Sequence, residues 1–391
     1  MSNLSSSCYI IKFPKLRFKG FTEPWKSILF KDLFDYIPNN TFSRAELNYT
    51  NGTVKNIHYG DILVKFNSIL DISHEELPYI TNAMIIDYST KRLKNGDIII
   101  ADTAEDETVG KAIEIFGIGN QCVVSGLHTI VCRPKFSMYP MYLGQYMNSL
   151  SYHKQLIPLM QGVKVLSISK SNIELTNIHY PSIKEQNKIS TLLSLLDRKI
   201  KKHQQLIEVL KKYKRGLLST VFQQITDYVS LSEISKYTSS GKSLEQINCM
   251  DLGEYPVYDA SGIATYIKQY DMDNDYIAII KDGSGVGRIQ YCKKKSSFIG
   301  TLGAITAVNC STYYLFTVLQ SVNFKNYVTG ATIPHIYYKD YKKIQIPFPS
   351  KKKQKQIEYL FREMDLVCAS NEELLSKLLL IKKSLLHQLF I

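Results

Sequence analysis

The sequence predicts an α+β protein: two mixed α/β domains separated by two long antiparallel coiled-coil helices, with a pseudo-two-fold internal repeat. The repeat is the first observation behind this. Gly162 and Gly330, 168 residues apart, each open a stretch that runs through Pro181-Ser182 or Pro349-Ser350 into a long basic, Leu-rich segment. Without a gap, Lys184, Gln186, Ile189, Leu192 and Asp197 fall on Lys352, Gln354, Ile357, Leu360 and Asp365. Farther on, Leu206, Leu210, Lys214, Leu217, Leu218 and Phe222 fall on Leu374, Leu378, Lys382, Leu385, Leu386 and Phe390. Solenoid units have periods of roughly 20–50 residues, so this is one half-molecule duplicated. The second observation is heptad apolar spacing in the long segments. The third is a pair of β-rich stretches punctuated by Gly, Asn and Asp.

Residues 1–22 read as an irregular segment punctuated by Pro14 and Gly20. A first mixed domain is expected over 23–160, with strands at 58–66, 97–101, 111–116 and 123–132 and a helical stretch over 142–156. A connection, 161–182, leads to a first spacer helix over 183–222. A second mixed domain, 223–330, has strands near 276–281, 288–292 and 301–309 and a helix over 312–322. A second connection, 331–350, and a second spacer helix, 351–390, complete the plan. The mixed domains match weakly but in order. Each has a hairpin whose polar loop returns through Gly and a cation, Gly110-Lys111 and Gly287-Arg288.

The long segments have defined starts. Ser182 with Glu185 reads as a capping box behind Pro181, while the second copy keeps Ser350 but has Lys353 where the acid would be. The seam runs Ile189, Leu193, Leu196, Ile200, His203, Ile207, Leu210, Lys214, Leu217, Val221. Its counterpart runs Ile357, Phe361, Met364, Cys368, Asn371, Leu375, Leu378, Lys382, Leu385, Leu389. Such a seam is too narrow to build a core alone and requires a partner helix. Each helix would be about 60 Å long at 1.5 Å per residue. Polar breaks recur at the same places in both copies (His203/Asn371 and Lys214/Lys382), as expected of residues that control register.

Composition bounds the function. The 391 residues are 45% hydrophobic, ordinary for a globular chain, and carry a net charge of +13. Basic residues cluster at 198–202, 211–215 and 351–353. One such run is usually a solvated helix face, but three related ones point to a polyanion. A duplicated basic protein suits a two-sided ligand, and duplex DNA is the obvious candidate. No apolar run approaches the roughly 20 residues of a membrane span. The start, Ser5-Ser6-Ser7-Cys8 leading into Lys12 and Lys15, does not resemble a secretory signal. Seven scattered cysteines without C-x-x-C spacing argue for reduced thiols in a cytoplasm and against structural zinc.

Catalytic signatures fail one by one. Lys281-Asp282-Gly283-Ser284-Gly285-Val286-Gly287 looks like a phosphate loop, but a β-run follows it instead of a helix, so it is a hairpin tip. Ser239-Ser240-Gly241-Lys242-Ser243 echoes the end of a Walker A motif, but Lys236 stands where the first glycine belongs. H-E-x-x-H, G-x-S-x-G, the N/D-P-P-Y/F of amino-methyltransferases and a nuclease carboxylate–lysine set are all missing. The acidic clusters His74-Glu75-Glu76 and Glu105-Asp106-Glu107 read as solvated loops. The expectation is a chain with no active site.

The layout resembles the specificity (S) subunit of a type I restriction–modification system over essentially the whole chain. The resemblance rests on the Lys-x-Gln helix starts after Pro181-Ser182 and Pro349-Ser350 and on the alternation of variable domain and helix. The opening Pro14-Lys15-Leu16-Arg17-Phe18, Gly20-Phe21 and Trp25-Lys26 adds to it, as do Leu93, Gly96-Asp97-Ile98 and Tyr255-Pro256-Val257-Tyr258-Asp259-Ala260-Ser261-Gly262. It implies that the mixed domains are target-recognition domains, each reading half of a bipartite site in double-stranded DNA. The helices would form an antiparallel spacer that docks two methyltransferase (M) subunits, with restriction (R) subunits completing an ATP-dependent nuclease. It implies no cofactor in this chain; S-adenosylmethionine, ATP and Mg would belong to the partner subunits. The alternatives are a stand-alone site-specific DNA-binding protein and a coiled-coil scaffold, which co-purification separates.

Two sets of residues are singled out. His203 and Asn371 are expected to face each other at the pseudo-dyad, flanked by layers Leu196–Leu378 and Leu210–Met364. Lys65, Lys94, Lys111, Arg133, Lys281 and Arg288, on hairpins and strand ends, are the expected DNA contacts.

Overall fold

The computed structural model describes residues 13–240 and 242–391, so Ser5 to Cys8, Lys12 and Gly241 lie outside the described residues. The chain forms two compact units divided in the middle of both long helices: one runs to Lys202 and includes Leu375–Ile391, the other is His203–Leu374.

In the first unit a five-stranded sheet has the order Phe34–Ile37, Thr129–Pro134, Ile98–Ala101, Ala112–Phe116, Ile69–Asp71. The central strand is apolar throughout because both its faces are covered. Ile98 and Ile100 join a core with Phe30, Tyr142 and Tyr146, while Ile99 and Ala101 join Ile62, Leu70 and Ile113 on the other side. In the second unit a four-stranded sheet has the order Ser235–Ser239, Leu302–Ala307, Tyr276–Ile280, Ile289–Cys292. This is the order of the first four strands above, so the duplication extends into the mixed domains. The segments read as connections are built into these domains. Asn177–Tyr180 pairs with Lys26–Leu29, and Gln345–Pro347 pairs with Tyr228–Ser230.

Two strand expectations need correction. Within 58–66, Tyr59–Val64 is helical, because His58 caps it: its Nδ1 accepts from the Gly60 N–H at 3.1 Å. The strand lies just upstream, at Val54–Ile57. The run 123–132 is broken where His128 takes a left-handed φ of 55°, which sends Cys122–Ser125 and Thr129–Pro134 to different sheets.

The long helices span Ile183–Gln223 and Lys351–Gln388. Within each unit they run antiparallel. In the second unit Lys211 pairs with Glu372 and Lys214 with Asp365; in the first, Ile189 and Leu193 share a core with Leu389 and Phe390. Every residue of the expected seams is buried or half-buried. The Lys-x-Gln starts have a local reason. Gln186 Nε2 donates to the Pro181 carbonyl at 2.9 Å, and Gln354 Nε2 to the Pro349 carbonyl at 2.8 Å. Each glutamine folds its helix back onto the chain that enters it.

The capping box at Ser182 is only half formed. Ser182 Oγ accepts from the Glu185 N–H at 3.4 Å, but the Glu185 carboxylate turns away to Arg17, with Nε–Oε1 and Nη2–Oε2 both at 2.8 Å. The Glu185 side chain is 2% exposed, so it is a buried ion in a bidentate pair. That accounts for the contrast with Lys353, which is exposed. Arg17→Ala is expected to cost about 3 kcal/mol by stranding a buried carboxylate. Chemical denaturation would measure it, and Glu185→Gln in the Arg17→Ala background should recover part of the loss; an unchanged midpoint in the single variant refutes the anchor.

Glu114 is a second buried acid. Its carboxylate accepts from the backbone N–H groups of Met141, at 2.5 Å, and Gly144, at 2.9 Å, holding the start of helix Tyr142–Met147. Burial pushes its pKa up to about 7 against the opposing pull of those N–H groups. An unfolded chain releases this proton near 4.5, the folded one near 7. Stability from this group is therefore complete below about pH 4.5 and falls as pH rises through 7, by about 3 kcal/mol in all. Melting temperatures from pH 5 to 8 should fall less steeply for Glu114→Gln than for the parent; parallel profiles refute the assignment.

Candidate nucleic-acid interface and its spacer

The six cations expected to touch DNA differ in how their side chains are used. Arg133 is bound bidentately by Asp97, Nε–Oδ1 at 2.7 Å and Nη2–Oδ2 at 2.6 Å, and also donates to the Arg92 carbonyl. With the Asp97 side chain 1% exposed, Arg133 balances a buried charge, so it serves the domain's own structure. Lys111 is half-buried and donates from Nζ to the Leu63 carbonyl at 2.8 Å, at the end of helix Tyr59–Val64. Burial and then the nearby Lys382 push its pKa down. It is turned toward the protein rather than presented outward. Lys65 is tied to the Glu76 carbonyl at 3.1 Å and lies over the Phe66 ring.

Lys94 and Arg288 are exposed. Lys94 lines a cavity of about 520 Å³ with Phe116 and Phe136. Arg288 curls over its hairpin tip, Nε 3.4 Å from the Gly285 carbonyl. Lys281 is half-buried on the other arm of that hairpin. The Gly-cation pairs, alike in sequence, therefore diverge in use, because only Lys111 has a helix-end carbonyl to take its ammonium.

A polar edge in the first unit carried no sequence motif. Val54–Ile57 and Cys122–Ser125 are parallel neighbours, and their C-terminal ends lead to His58-Tyr59 and Leu127-His128. The Tyr59 ring lies 5.2 Å from His128 and 4.7 Å from His58. Beneath them Asn40 Nδ2 donates to Asn56 Oδ1 at 2.8 Å, and Ser125 and Thr129 hydroxyls bond at 2.8 Å, all buried. The available signal was a histidine close behind each of two apolar β-runs, His58 directly after the first and His128 three residues after the second.

The spacer is organised by two carboxylates. Asp197 takes Lys382 Nζ at 2.5 Å from the other long helix and Gln145 Nε2 at 2.8 Å from helix Tyr142–Met147. Asp365 takes Lys214 Nζ and the Tyr313 hydroxyl of helix Thr312–Leu319. Asp197, Lys214 and Gln145 correspond to Asp365, Lys382 and Tyr313 at the 168-residue repeat. Each unit therefore holds the same clamp, with the two helices exchanging parts.

The expected seam residues are distributed as follows. Leu378 is buried, while Leu196, His203, Leu210, Met364 and Asn371 are half-buried. Among the described residues no contact joins His203 to Asn371: His203 Nδ1 is buried without a hydrogen-bond partner, and Asn371 Nδ2 donates to its own helix at Val367 O. The ion pairs join residues five positions along from the register of the layers Leu196–Leu378 and Leu210–Met364. Part of that offset is the lean of side chains toward their own helix N-termini. The polar contact that recurs between the helices in both units is thus Lys to Asp, where a full charge finds its counter-charge.

A double-mutant cycle on Lys382 and Asp197, using Met and Asn, should give a coupling of about 1 kcal/mol for these part-buried groups. The cycle on Lys214 and Asp365 should give a similar value. Additive losses in both cycles would remove the clamps.

Among the described residues no group of three or more His, Cys, Asp or Glu side chains could hold a metal ion, and no helix is long and apolar enough to cross a membrane. Fold and spacer together define a class: a duplicated pair of mixed domains carried on long antiparallel helices. The sequence model of the type I restriction modification DNA specificity domain matches twice, over 22–212 and 226–379. The chain belongs to that family.

Its relatives include the putative type I restriction enzyme MjaX specificity subunit of Methanocaldococcus jannaschii, 24% identical over 214 residues, 54% of this chain and 48% of that one. The StySPI specificity subunit of Salmonella potsdam is 28% identical over 91 residues, 22% of this chain and 20% of the relative. These alignments span about half or less of the relatives' length. In fold, the chain is similar to the type I restriction–modification S subunit from M. genitalium, with a TM-score of 0.67, 16% identity and coverage of 97% and 99% of the two chains.

Proposed function

We propose that this chain is the non-catalytic specificity subunit of a type I restriction–modification complex. On this reading it recognises a bipartite site in double-stranded DNA and docks methyltransferase and restriction subunits. The observation that carries the reading is the duplicated clamp. One spacer grips each mixed domain by the same carboxylate, at the same repeat position, and so suits a target read in two halves.

The domains are alike in their sheets and differ at their hairpin tips, as two half-sites of different sequence require. One tip carries Glu105, Asp106 and Glu107; the other is Gly283-Ser284-Gly285. Lys65, Lys94 and Arg288, the exposed cations of the expected set, suit contacts to phosphate or guanine. Tyr59 and His128 offer a groove-facing edge held rigid from beneath. S-adenosylmethionine, ATP and Mg would act on the partner subunits, in the cytoplasm.

Each mixed domain should set one half-site and the spacer the gap between them. Replacing residues 23–160 with those of a related subunit is expected to change one half of the methylated sequence only. One heptad added to both helices lengthens the spacer by about 10.5 Å. It should widen the unread gap by about 3 bp at 3.4 Å per base pair. Mapping methylated adenines in cells carrying each variant reads both outcomes. A swap that alters both halves, or an insertion that leaves the gap unchanged, overturns the corresponding role.

A further inference from the structure

The repeat leaves one pair of surface features that neither folding nor base reading explains. Residues 161–167 and 329–335 form tight loops, closed by backbone hydrogen bonds between Gln161 and Ser167 and between Thr329 and His335, all 2.8–2.9 Å. Gly162 at φ 119° and Gly330 at φ 90° turn the chain, and a Cβ on either would run into the carbonyl oxygen of Val165 or Ile333. Each loop is fastened to its domain's hairpin in the same way. The Ile168 N–H donates to the Asp102 carbonyl and the Ile336 N–H to the Lys281 carbonyl, both at 2.9 Å. Ile168 and Ile336 are buried, yet three residues earlier Val165 is 51% exposed and Ile333 64%.

A rigid loop that holds an aliphatic side chain in water gains nothing in stability from doing so. Around each tip the exposure continues, through Val64 at 87% and Val163 at 99% in the first unit and Tyr337 at 50% in the second. In the first unit Val165 and Val64 line a shallow cavity of about 440 Å³ beside Glu105 and Asp106.

On the functional reading above, features that serve base reading are free to differ between the halves, as the hairpin tips do. These loops agree in length, glycine, closure and apolar position. Aliphatic groups do not bind phosphate. A surface repeated on both halves suits a partner that is the same on both sides. We infer that the loops 161–167 and 329–335 are equivalent docking contacts for one protein partner bound in two copies, with Val165 and Ile333 as anchors. This rests on the functional reading above, which makes that partner the methyltransferase subunit.

The test is native mass spectrometry of the full chain co-expressed with its methyltransferase subunit, together with titration of the partner and DNA binding by the same preparations. Wild type should carry two partner copies. Val165→Asp and Ile333→Asp should each weaken one of the two sites by about tenfold or more, the loss typical of an interface anchor. The double variant should weaken both, while Val165→Ala and Ile333→Ala show smaller losses. Melting temperatures should not move, because both side chains are exposed. Two partner copies held with unchanged affinity in both Asp variants overturn the proposal. Loss of one DNA half-site with partner binding intact overturns it too, and assigns the loops to DNA. A wild-type chain that takes up no methyltransferase overturns the functional reading itself, before any substitution is made.

Discussion

The structure hangs on where two aspartates sit. Asp197 and Asp365 each stand about four turns into a long helix, and each is drawn partly out of water by three elements that meet at it: its own helix, the antiparallel helix and the mixed-domain helix beside it. A half-buried carboxylate is costly unless its charge and lone pairs are matched. Here a lysine supplies the charge and an amide or phenol supplies a further donor. Apolar seams alone tolerate sliding by a heptad, whereas a lysine that must reach one carboxylate fixes the register. Within its own unit, the same contact fixes the attachment of each mixed domain to the long helices.

The two halves are not equally furnished. Arg17 reaches Glu185, and the segment that carries it runs on to the Leu16 N–H, bonded to the Gln388 carbonyl, and to Trp25 against Tyr142 and Phe390. The start of the first long helix is thereby knitted to the end of the second within one unit. Glu185 is an acid at a helix N-terminus, favourable in any case to the helix dipole, and Arg17 makes its burial tolerable. At the corresponding place Lys353 stays in solvent.

Much of this was legible in the sequence, because periodicity survives without knowledge of the partner. The seam from Ile189 to Val221 and its copy are buried or half-buried where heptad spacing put them, and Lys214 and Lys382 stood out as polar breaks at equivalent sites. What the sequence could not show was pairing across space. His58 followed by an apolar run looks like a strand until its ring is seen capping a helix. Lys111 and Arg133 look like free cations until a carbonyl and a buried carboxylate claim them. Glu185 has the spacing of a capping box, but a bidentate guanidinium is a stronger partner than one backbone N–H. In each case a local rule gave way to a residue distant in sequence.

The exchange of parts between the clamps also bears on ancestry. A single half carries both an aspartate and a lysine, so it could meet a copy of itself through two identical ion pairs about a true dyad, as isologous dimers do. The present chain carries both ion pairs on one polypeptide, as a duplicated and joined gene would place them. Joining removed the requirement that the two subunits be identical. From then on one half could acquire an acidic hairpin and the other a glycine-rich one without either change being imposed on its twin.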